Sequence, residues 1–218
     1  MVCVINLPKL INVRNFFLYV NEELTKLDLP NVDEVGRYFL TNNETLEEIN
    51  LPNVTVIEKG FLSYNKKIRK INLQSVIVIG SNFLSSNEIL EEINIPNVSI
   101  IRSSFLEKNN TLKKIYLPNI NMIGSEFLSH NEVLEEINVA NVREIGDSFL
   151  EKNNALEKIT LLKIEEIGNR FLYSNEVLKE INISNPDVLE DDFFHFYYNK
   201  INTIREETYD KTKDNKYR

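Results

Sequence analysis

The chain has 218 residues, of which 42% are hydrophobic and 27% are charged, and this composition excludes wholesale disorder and a collagen-like fibre. The formal net charge of −8 argues against nucleic acid or an anionic membrane surface as the main partner, because both attract clustered Lys and Arg. Cys3 is the only cysteine, so no disulfide can form within the chain.

Phenylalanine gives the chain an internal period of 22 residues. It recurs without a slip at Phe17, Phe39, Phe61, Phe83, Phe105, Phe127, Phe149, Phe171 and Phe193. Nine frames of 22 residues follow from this period, beginning at Val2, Leu24, Leu46, Ile68, Leu90, Leu112, Leu134, Leu156 and Leu178. Each frame approximates Leu-x-x-Ile-x-Leu-Pro-Asn-Val-x-x-Ile-Gly-x-x-Phe-Leu-x-x-Asn-x-x, which predicts a repeat array built from one local structure.

Each repeat opens with a predicted strand and continues with predicted turns. In the fifth repeat, the alternation over residues 93–95 (Ile-Asn-Ile) is a strand signal. A proline follows in several repeats, as at Pro96, and ends the strand because it cannot donate to a ladder. A second extended segment, Val-x-x-Ile, leads to a glycine such as Gly124, which indicates a tight turn. The Phe-Leu pair then begins a short helical or irregular turn.

Apolar residues at seven positions of each repeat predict a core that is continuous from coil to coil. One coil cannot bury these residues alone, but parallel strands stacked at about 4.8 Å would bury them in columns. Each buried large side chain contributes roughly 1.5 to 3 kcal/mol, so the columns should dominate stability. The phenylalanine column should form a spine. Asparagine, recurring from Asn21 to Asn175, predicts a buried ladder whose amides bind backbone groups of the turns.

This repeat resembles the BspA-like leucine-rich repeat family over residues 2 to about 199, although that family usually has Ala-Phe and often Cys where this chain has Phe-Leu and Asn. The resemblance implies a right-handed leucine-rich repeat solenoid with a parallel concave sheet, nine 22-residue repeats, and short turns or helical turns on the convex side. It also implies a role in binding, often at cell surfaces, without naming a ligand. The expected division is a solenoid over residues 1–199 and a cap extension with a charged tail over 200–218.

Charged residues of the predicted strands alternate in sign from one repeat to the next. The pairs are Glu47-Glu48, Arg69-Lys70, Glu91-Glu92, Lys113-Lys114 and Glu135-Glu136. In a parallel stack each acidic pair would lie between basic pairs, and opposite charges at adjacent ladder positions are favourable. We interpret the alternation as a solvated face that controls register, with a ligand-binding stripe as the alternative. A second period of 44 residues, visible in the recurrence of segment 87–94 at 131–138, suggests growth by duplication of two repeats.

The sequence gives no pattern typical of catalysis, of a metal site or of a cofactor site. His130 and His195 are the only histidines, and their predicted places, on a convex turn and in the degenerate last repeat, are far apart. Each glycine stands alone in its turn, so no phosphate-binding loop is indicated. We therefore expect a protein that is not an enzyme, with no catalytic residues, metal or cofactor.

The two ends of the array should differ. The aromatic segment 193–201 suits a lid over the last coil, and the tail after Ile204 should be solvated. At the other end, the first coil follows Met1 without a capping segment, which predicts either an upstream domain or end-to-end self-association through the uncapped repeat. No signal peptide and no apolar stretch long enough to cross a bilayer are visible, so no membrane insertion is expected and the compartment is left open.

The expected function is recognition of a protein partner through the concave sheet or an apolar stripe on one flank, and the alternative is a structural spacer or self-assembling unit. The stripe is predicted from an outward position that is polar at Asn12, Glu34, Glu144 and Glu166 but apolar in the third to sixth repeats. An exposed stripe of this kind favours a contact surface, while the alternative is that its side chains tuck beneath the neighbouring turn. The candidate partner-binding residues are Val56, Ile77, Val78, Ile100, Met122 and Tyr116.

Overall fold

Each 22-residue repeat forms one coil of a solenoid. The computed structural model describes residues 3–87, 89–189, 193 and 203–205. Most coils add one strand to a first sheet and one strand to a second sheet, and a segment of turns closes the coil. The predicted leucine-rich repeat solenoid with a 22-residue period is confirmed, and it contains almost no helix.

The first sheet is built from the strands that open each repeat. They are β1 (Cys3–Asn6), β3 (Leu24–Asp28), β5 (Glu48–Asn50), β7 (Lys70–Asn72), β10 (Lys114–Tyr116), β12 (Glu136–Asn138), β14 (Lys158–Leu161), β16 (Glu180–Ile183) and β17 (Thr203–Arg205). They pair in parallel in three runs, β1-β3-β5-β7, β10-β12 and β14-β16-β17. The first sheet is therefore interrupted along the solenoid.

The second sheet is continuous through eight coils. Its strands are β2 (Asn12–Val13), β4 (Glu34–Val35), β6 (Val56–Ile57), β8 (Val78–Ile79), β9 (Ile100–Ile101), β11 (Met122–Ile123), β13 (Glu144–Ile145) and β15 (Glu166–Ile167). Neighbours are parallel and pair residues 22 apart. Each strand has two residues, so one points outward and the next, such as Ile57, faces the core; it is buried in every strand except β15, where Ile167 is partly buried. In the ninth repeat a 3-10 helix, Pro186–Val188, occupies the corresponding place.

The strand predicted over residues 93–95 is not formed. These residues are described, and they carry no strand although Ile93 and Ile95 are buried and Asn94 is exposed. The apolar alternation thus predicted correctly which side chains face the core. It could not predict whether the backbone approaches β7 and β10 closely enough for a ladder, because that distance depends on neighbouring coils.

The segment that closes each coil is a run of turns stabilised by hydrogen bonds between coils. Three alternate residues per coil have a positive φ; in the second coil they are Tyr38, Leu40 and Asn42, at 56°, 55° and 60°. The left-handed conformation costs a residue with a side chain about 1 to 2 kcal/mol. Burial of Leu40 and the bond from its N–H to the carbonyl of Phe17, at 3.3 Å, offset that cost. In the third coil, the first of the three positive-φ positions is occupied by Gly60, with φ 80°.

Gly124 serves close packing between coils rather than a left-handed turn. A Cβ built at this position would lie 2.7 Å from the backbone nitrogen of Ser103 in the preceding coil. The tight turn predicted at Gly124 is not formed: the residue precedes the run of turns, its φ is not positive, and glycine is required there by the close approach of the neighbouring coil.

The core is a set of stacked columns, and the phenylalanine column is its spine. Neighbouring rings from Phe17 to Phe193 have centroids 5.3–5.9 Å apart, and those from Phe61 to Phe171 are parallel to within 10°. The rings from Phe39 to Phe149 are fully buried. The predicted spine is confirmed.

The predicted asparagine ladder is formed and buried along most of the solenoid. Its buried members are Asn43, Asn65, Asn87, Asn109, Asn131, Asn153 and Asn175. In six of them Nδ2 donates to a leucine carbonyl 25 residues earlier, whereas Oδ1 of Asn109 accepts the N–H of Leu112 at 3.1 Å. Asn21 departs from the prediction because it is only half-buried. It lies in the first coil, where the described residues provide a neighbouring coil on one side.

The carboxyl-terminal end of the described core is covered. Phe193 is buried against Phe171, and strand β17 pairs in parallel with β16. The rest of the predicted aromatic lid and, apart from residues 203–205, the predicted extension and tail over 200–218 lie outside the described residues.

Candidate partner-binding surface

Four of the candidate residues form one row across the second sheet. Val56 pairs with Val78, Val78 with Ile100 and Ile100 with Met122, each on an adjacent strand. These four residues are called the apolar stripe. Because every coil contributes the same ladder position, the stripe is continuous over four coils.

The apolar stripe is accessible to solvent at both ends and half-buried in the middle. Val56 is 44% exposed and Met122 is 37% exposed, while Val78 and Ile100 have intermediate exposure. Ile77, in the row beside Val78, is 46% exposed and widens the stripe. The alternative interpretation was that these side chains are buried beneath the next turn. It is wrong for Val56, Ile77 and Met122, which are exposed.

Carboxylates bound the apolar stripe along its own row. Glu34 pairs with Val56 at one end, and Glu144 pairs with Met122 at the other, followed by Glu166. The residues that directly follow the buried Ile57 and Ile101 are exposed and carry one acid and one base, Glu58 and Arg102. The row itself therefore gives the surface an apolar centre with acidic ends.

Tyr116 does not belong to the apolar stripe. It lies on β10 of the first sheet, pairs with Asn138 and is 60% exposed. The structure thus separates the six candidate residues into four on the second sheet, Ile77 directly before its strand β8, and a single tyrosine on the first sheet.

Charges on the first sheet are paired with one another from coil to coil. Lys26 lies 2.9 Å from Glu48, and Lys114 lies 2.6 Å from Glu136. The hydrogen bond from Lys26 lowers the pKa of Glu48, and the bond to Glu136 raises the pKa of Lys114. The predicted alternation of charge therefore produces ion pairs between coils, as expected for a solvated face that controls register.

A second asparagine column, which was not predicted from the sequence, runs along the surface. Nδ2 of each member donates to a carbonyl 23 residues earlier; the members are Asn31, Asn53, Asn97, Asn119 and Asn141. The signal for it was the Asn that follows Pro in the repeat. Through these bonds the side chains stabilise the stacking of exposed turns.

The histidine that the structure describes lies away from the stripe, on the segment of turns. Nε2 of His130 is 3.2 Å from Nζ of Lys152. His195 lies outside the described residues. Among the described residues, no three His, Cys, Asp or Glu side chains are grouped as ligands for a metal ion.

The stacked parallel strands, the 22-residue register and the asparagine ladder define a leucine-rich repeat solenoid. A family model for the BspA type leucine rich repeat region matches residues 11–135 and 78–202, with six copies. The matches cover most of the chain, which therefore belongs to the BspA-type leucine-rich repeat family. A search of curated proteins and a search of solved structures each found no match.

The family describes repeat modules that generally bind proteins and whose fold is typically non-enzymatic. In the part of the chain that the structure describes, there is no helix with the length and apolar character required to traverse a lipid bilayer.

Proposed function

We propose that this chain is a non-enzymatic module that binds a partner protein through the apolar stripe of its second sheet, widened by Ile77. The observation that carries the proposal is the in-register row of four apolar side chains, exposed at both ends. At the same ladder position, neighbouring coils carry Glu34 and Glu144. An apolar patch rimmed by charge is typical of a contact surface.

The spacing of the stripe fits an amphipathic helix lying across the strands. Four ladder positions about 4.8 Å apart span about 14 Å. A helix places residues i, i+4, i+7 and i+11 on one face over about 16 Å, with a turn every 5.4 Å. Side chains on one face of an extended peptide recur about every 6.6 Å and would fall out of step with the coils. The matching occupant is therefore a helix of about three turns with one apolar face.

The charge around the stripe favours a partner helix with basic residues near both ends. Glu34 lies beyond Val56, and Glu144 and Glu166 lie beyond Met122. The net charge of −8 for the whole chain would also speed the approach of a basic partner.

The proposal can be tested with a synthetic helical peptide that has apolar residues at i, i+4, i+7 and i+11 and lysines in its first and last turns. Binding is measured by fluorescence anisotropy at low and high salt. We expect binding that weakens with salt, and at least tenfold weaker binding to the double variant Val56→Lys, Met122→Lys. The exposed positions are chosen so that the substitutions leave the fold intact, which the melting temperature checks.

A matched control is the double variant Tyr116→Lys, Val177→Lys, which makes the same charge change at exposed apolar residues outside the stripe. It should bind the peptide like the unchanged chain. If the peptide fails to bind, binds the stripe variant equally well, or binds equally well with glutamates in place of its lysines, the proposal is wrong. Loss of binding only in the control variant would instead assign recognition to the first sheet around Tyr116.

A further inference from the structure

One cation stands beside the apolar stripe on a face that is otherwise uncharged. In the fourth, fifth and sixth coils, the stripe residue and its flanks lie in the segments 77–81, 99–103 and 121–125, and Arg102 is the only charged residue among them. The equivalent segments of the coils on either side, 33–37, 55–59, 143–147 and 165–169, each have two or three charged residues. The charge of Arg102 is therefore isolated on this part of the surface.

Neighbouring coils leave the Arg102 side chain uncovered. The N–H of Arg102 donates to the carbonyl of Ile79 at 2.8 Å. One coil later the N–H of Gly124 makes the same bond to the carbonyl of Ile101, also at 2.8 Å. The equivalent residues on both sides of Arg102 are thus glycines, Gly80 and Gly124, which have no side chain to cover it. Arg102 is exposed, and within the described part of the chain its guanidinium forms no ion pair.

Two other arginines of this face are paired with carboxylates of adjacent coils. Nε of Arg37 lies 3.5 Å from Glu58, and Arg143 is paired with Glu165. A guanidinium is a planar fork of donors that can bind one carboxylate through two parallel hydrogen bonds. Arg102 has the same capacity, and no carboxylate of the described chain uses it.

Arg102 lies under one flank of a helix bound to the stripe. It follows Ile100 by two residues, a separation of about 6.6 Å in an extended segment. A helix with its side chains is about 10 to 12 Å across, so a helix centred on the stripe extends about 5 to 6 Å to each side. The opposite flank lies over an uncharged row, which consists of Thr55, Ile77, Ser99 and Asn121. The cation therefore faces only one side of the helix.

We propose that Arg102 binds a carboxylate on the flank of the partner helix and so selects helices with an acidic residue near their middle. This inference rests on the proposed function, because the helix must lie on the apolar stripe. Glu34 lies beyond one end of the stripe and Glu144 beyond the other, so the surface presents its charges in the order acid, base, acid. The complementary helix carries base, acid, base beside its apolar face.

The test compares two synthetic helices that share the apolar residues at i, i+4, i+7 and i+11 and the lysines in the first and last turns. One has glutamate at i+3 and i+8, which lie on the two flanks of the apolar face, and the other has glutamine at both places. Either direction of the bound helix then brings one carboxylate to the side of Arg102. The net charge of −8 by itself disfavours the glutamate peptide, so tighter binding of that peptide has a local cause.

Both peptides are titrated by fluorescence anisotropy against the unchanged chain and the variant Arg102→Gln. We expect the preference for the glutamate peptide over the glutamine peptide to fall about tenfold in Arg102→Gln, with an unchanged melting temperature. Arg102→Lys should keep only part of the preference, because an ammonium group cannot form the two parallel bonds. The matched control is Arg14→Gln, since Arg14 is exposed at the same repeat position of the first coil, away from the stripe. It should keep the full preference.

Two results would overturn the role of Arg102 alone. They are an equal peptide preference in the unchanged chain and Arg102→Gln, and an equal loss of preference in Arg14→Gln, which would indicate long-range attraction. The stripe proposal survives either result if both peptides still bind more weakly to Val56→Lys, Met122→Lys. If neither peptide binds the unchanged chain, both proposals are wrong.

Discussion

Replacing one rung of the buried asparagine ladder gives a direct measure of what the ladder contributes. Asn131 is fully buried, and its Nδ2 donates to the carbonyl of Leu106 at 3.0 Å and to that of Ser129 at 3.2 Å. In the variant Asn131→Leu, the Ser129 carbonyl would still accept a hydrogen bond from the N–H of Lys108, which lies 3.0 Å away. The Leu106 carbonyl would lose its side-chain donor inside the solenoid.

The expected loss follows from that one carbonyl. A buried acceptor left without a donor costs about 1 to 3 kcal/mol. Leucine has the same branched arrangement of four side-chain heavy atoms as asparagine, but its methyl groups are bulkier and add packing strain at a fully buried site. We therefore expect a loss of about 2 kcal/mol or more for Asn131→Leu. With a slope of about 2 kcal/mol per molar urea, the unfolding midpoint should fall by about 1 M. The change is read by circular dichroism during urea titration.

The exposed column provides the control. Nδ2 of Asn119 also donates to a carbonyl of the preceding coil, that of Pro96 at 2.9 Å, but both groups are exposed and water can replace the bond. Asn119→Leu should therefore change stability by less than about 0.5 kcal/mol. Equal midpoints for Asn131→Leu and Asn119→Leu would refute the argument that burial makes the inner ladder costly to break.

Two further substitutions test the spine and an ion pair on the turn segment. Phe105→Ala should cost about 3 to 5 kcal/mol in urea unfolding, because the ring is fully buried between two stacked neighbours; a loss below about 1 kcal/mol would contradict the spine. The hydrogen bond from the half-exposed Arg170 guanidinium lowers the pKa of the buried Glu151 carboxyl. This pair therefore stabilises the fold at pH values above the unfolded-state pKa of Glu151, near 4.5. The stabilisation is lost as the pH falls through the lower pKa that Glu151 has in the folded protein. Arg170→Ala should therefore cost about 1 kcal/mol at pH 7, limited by solvent screening, and the difference from the unchanged chain should narrow in acid; a difference independent of pH would contradict this assignment.

The 22-residue period predicted the columns because identical spacing leaves each side chain beside its equivalent in the next coil. The burial of Phe105 and Asn131 followed from that rule. The left-handed backbone at Leu40 and its equivalents could not be predicted, because leucine disfavours positive φ and adopts it in this protein under the hydrogen bonds of adjacent coils. Those hydrogen bonds exist only after the coils have stacked.

For the candidate surface, the sequence predicted which residues lie beside one another, but it did not predict how deeply each side chain is buried. The ladder position of Val78 and Ile100 followed from the repeat, whereas their half-buried state depends on how far neighbouring turns overlap them. The place of Tyr116 on another sheet follows from its position in the repeat, five residues into the frame. The exposure of the first coil depends on what covers it, which the periodic pattern does not encode.

The ion pairs of the first sheet also limit how this array can change in copy number. At one ladder position the sign of charge alternates through eight consecutive coils, as Lys26, Glu48, Lys70, Glu92, Lys114, Glu136, Lys158 and Glu180. Deleting the coil that contains Lys70 would place Glu48 beside Glu92, and inserting one coil would likewise set two like charges side by side. Deleting or inserting two coils preserves the alternation. Adding or removing 44 residues, which is two coils, is therefore the change in length that avoids placing like charges side by side. The same number of residues is the longer period of the sequence.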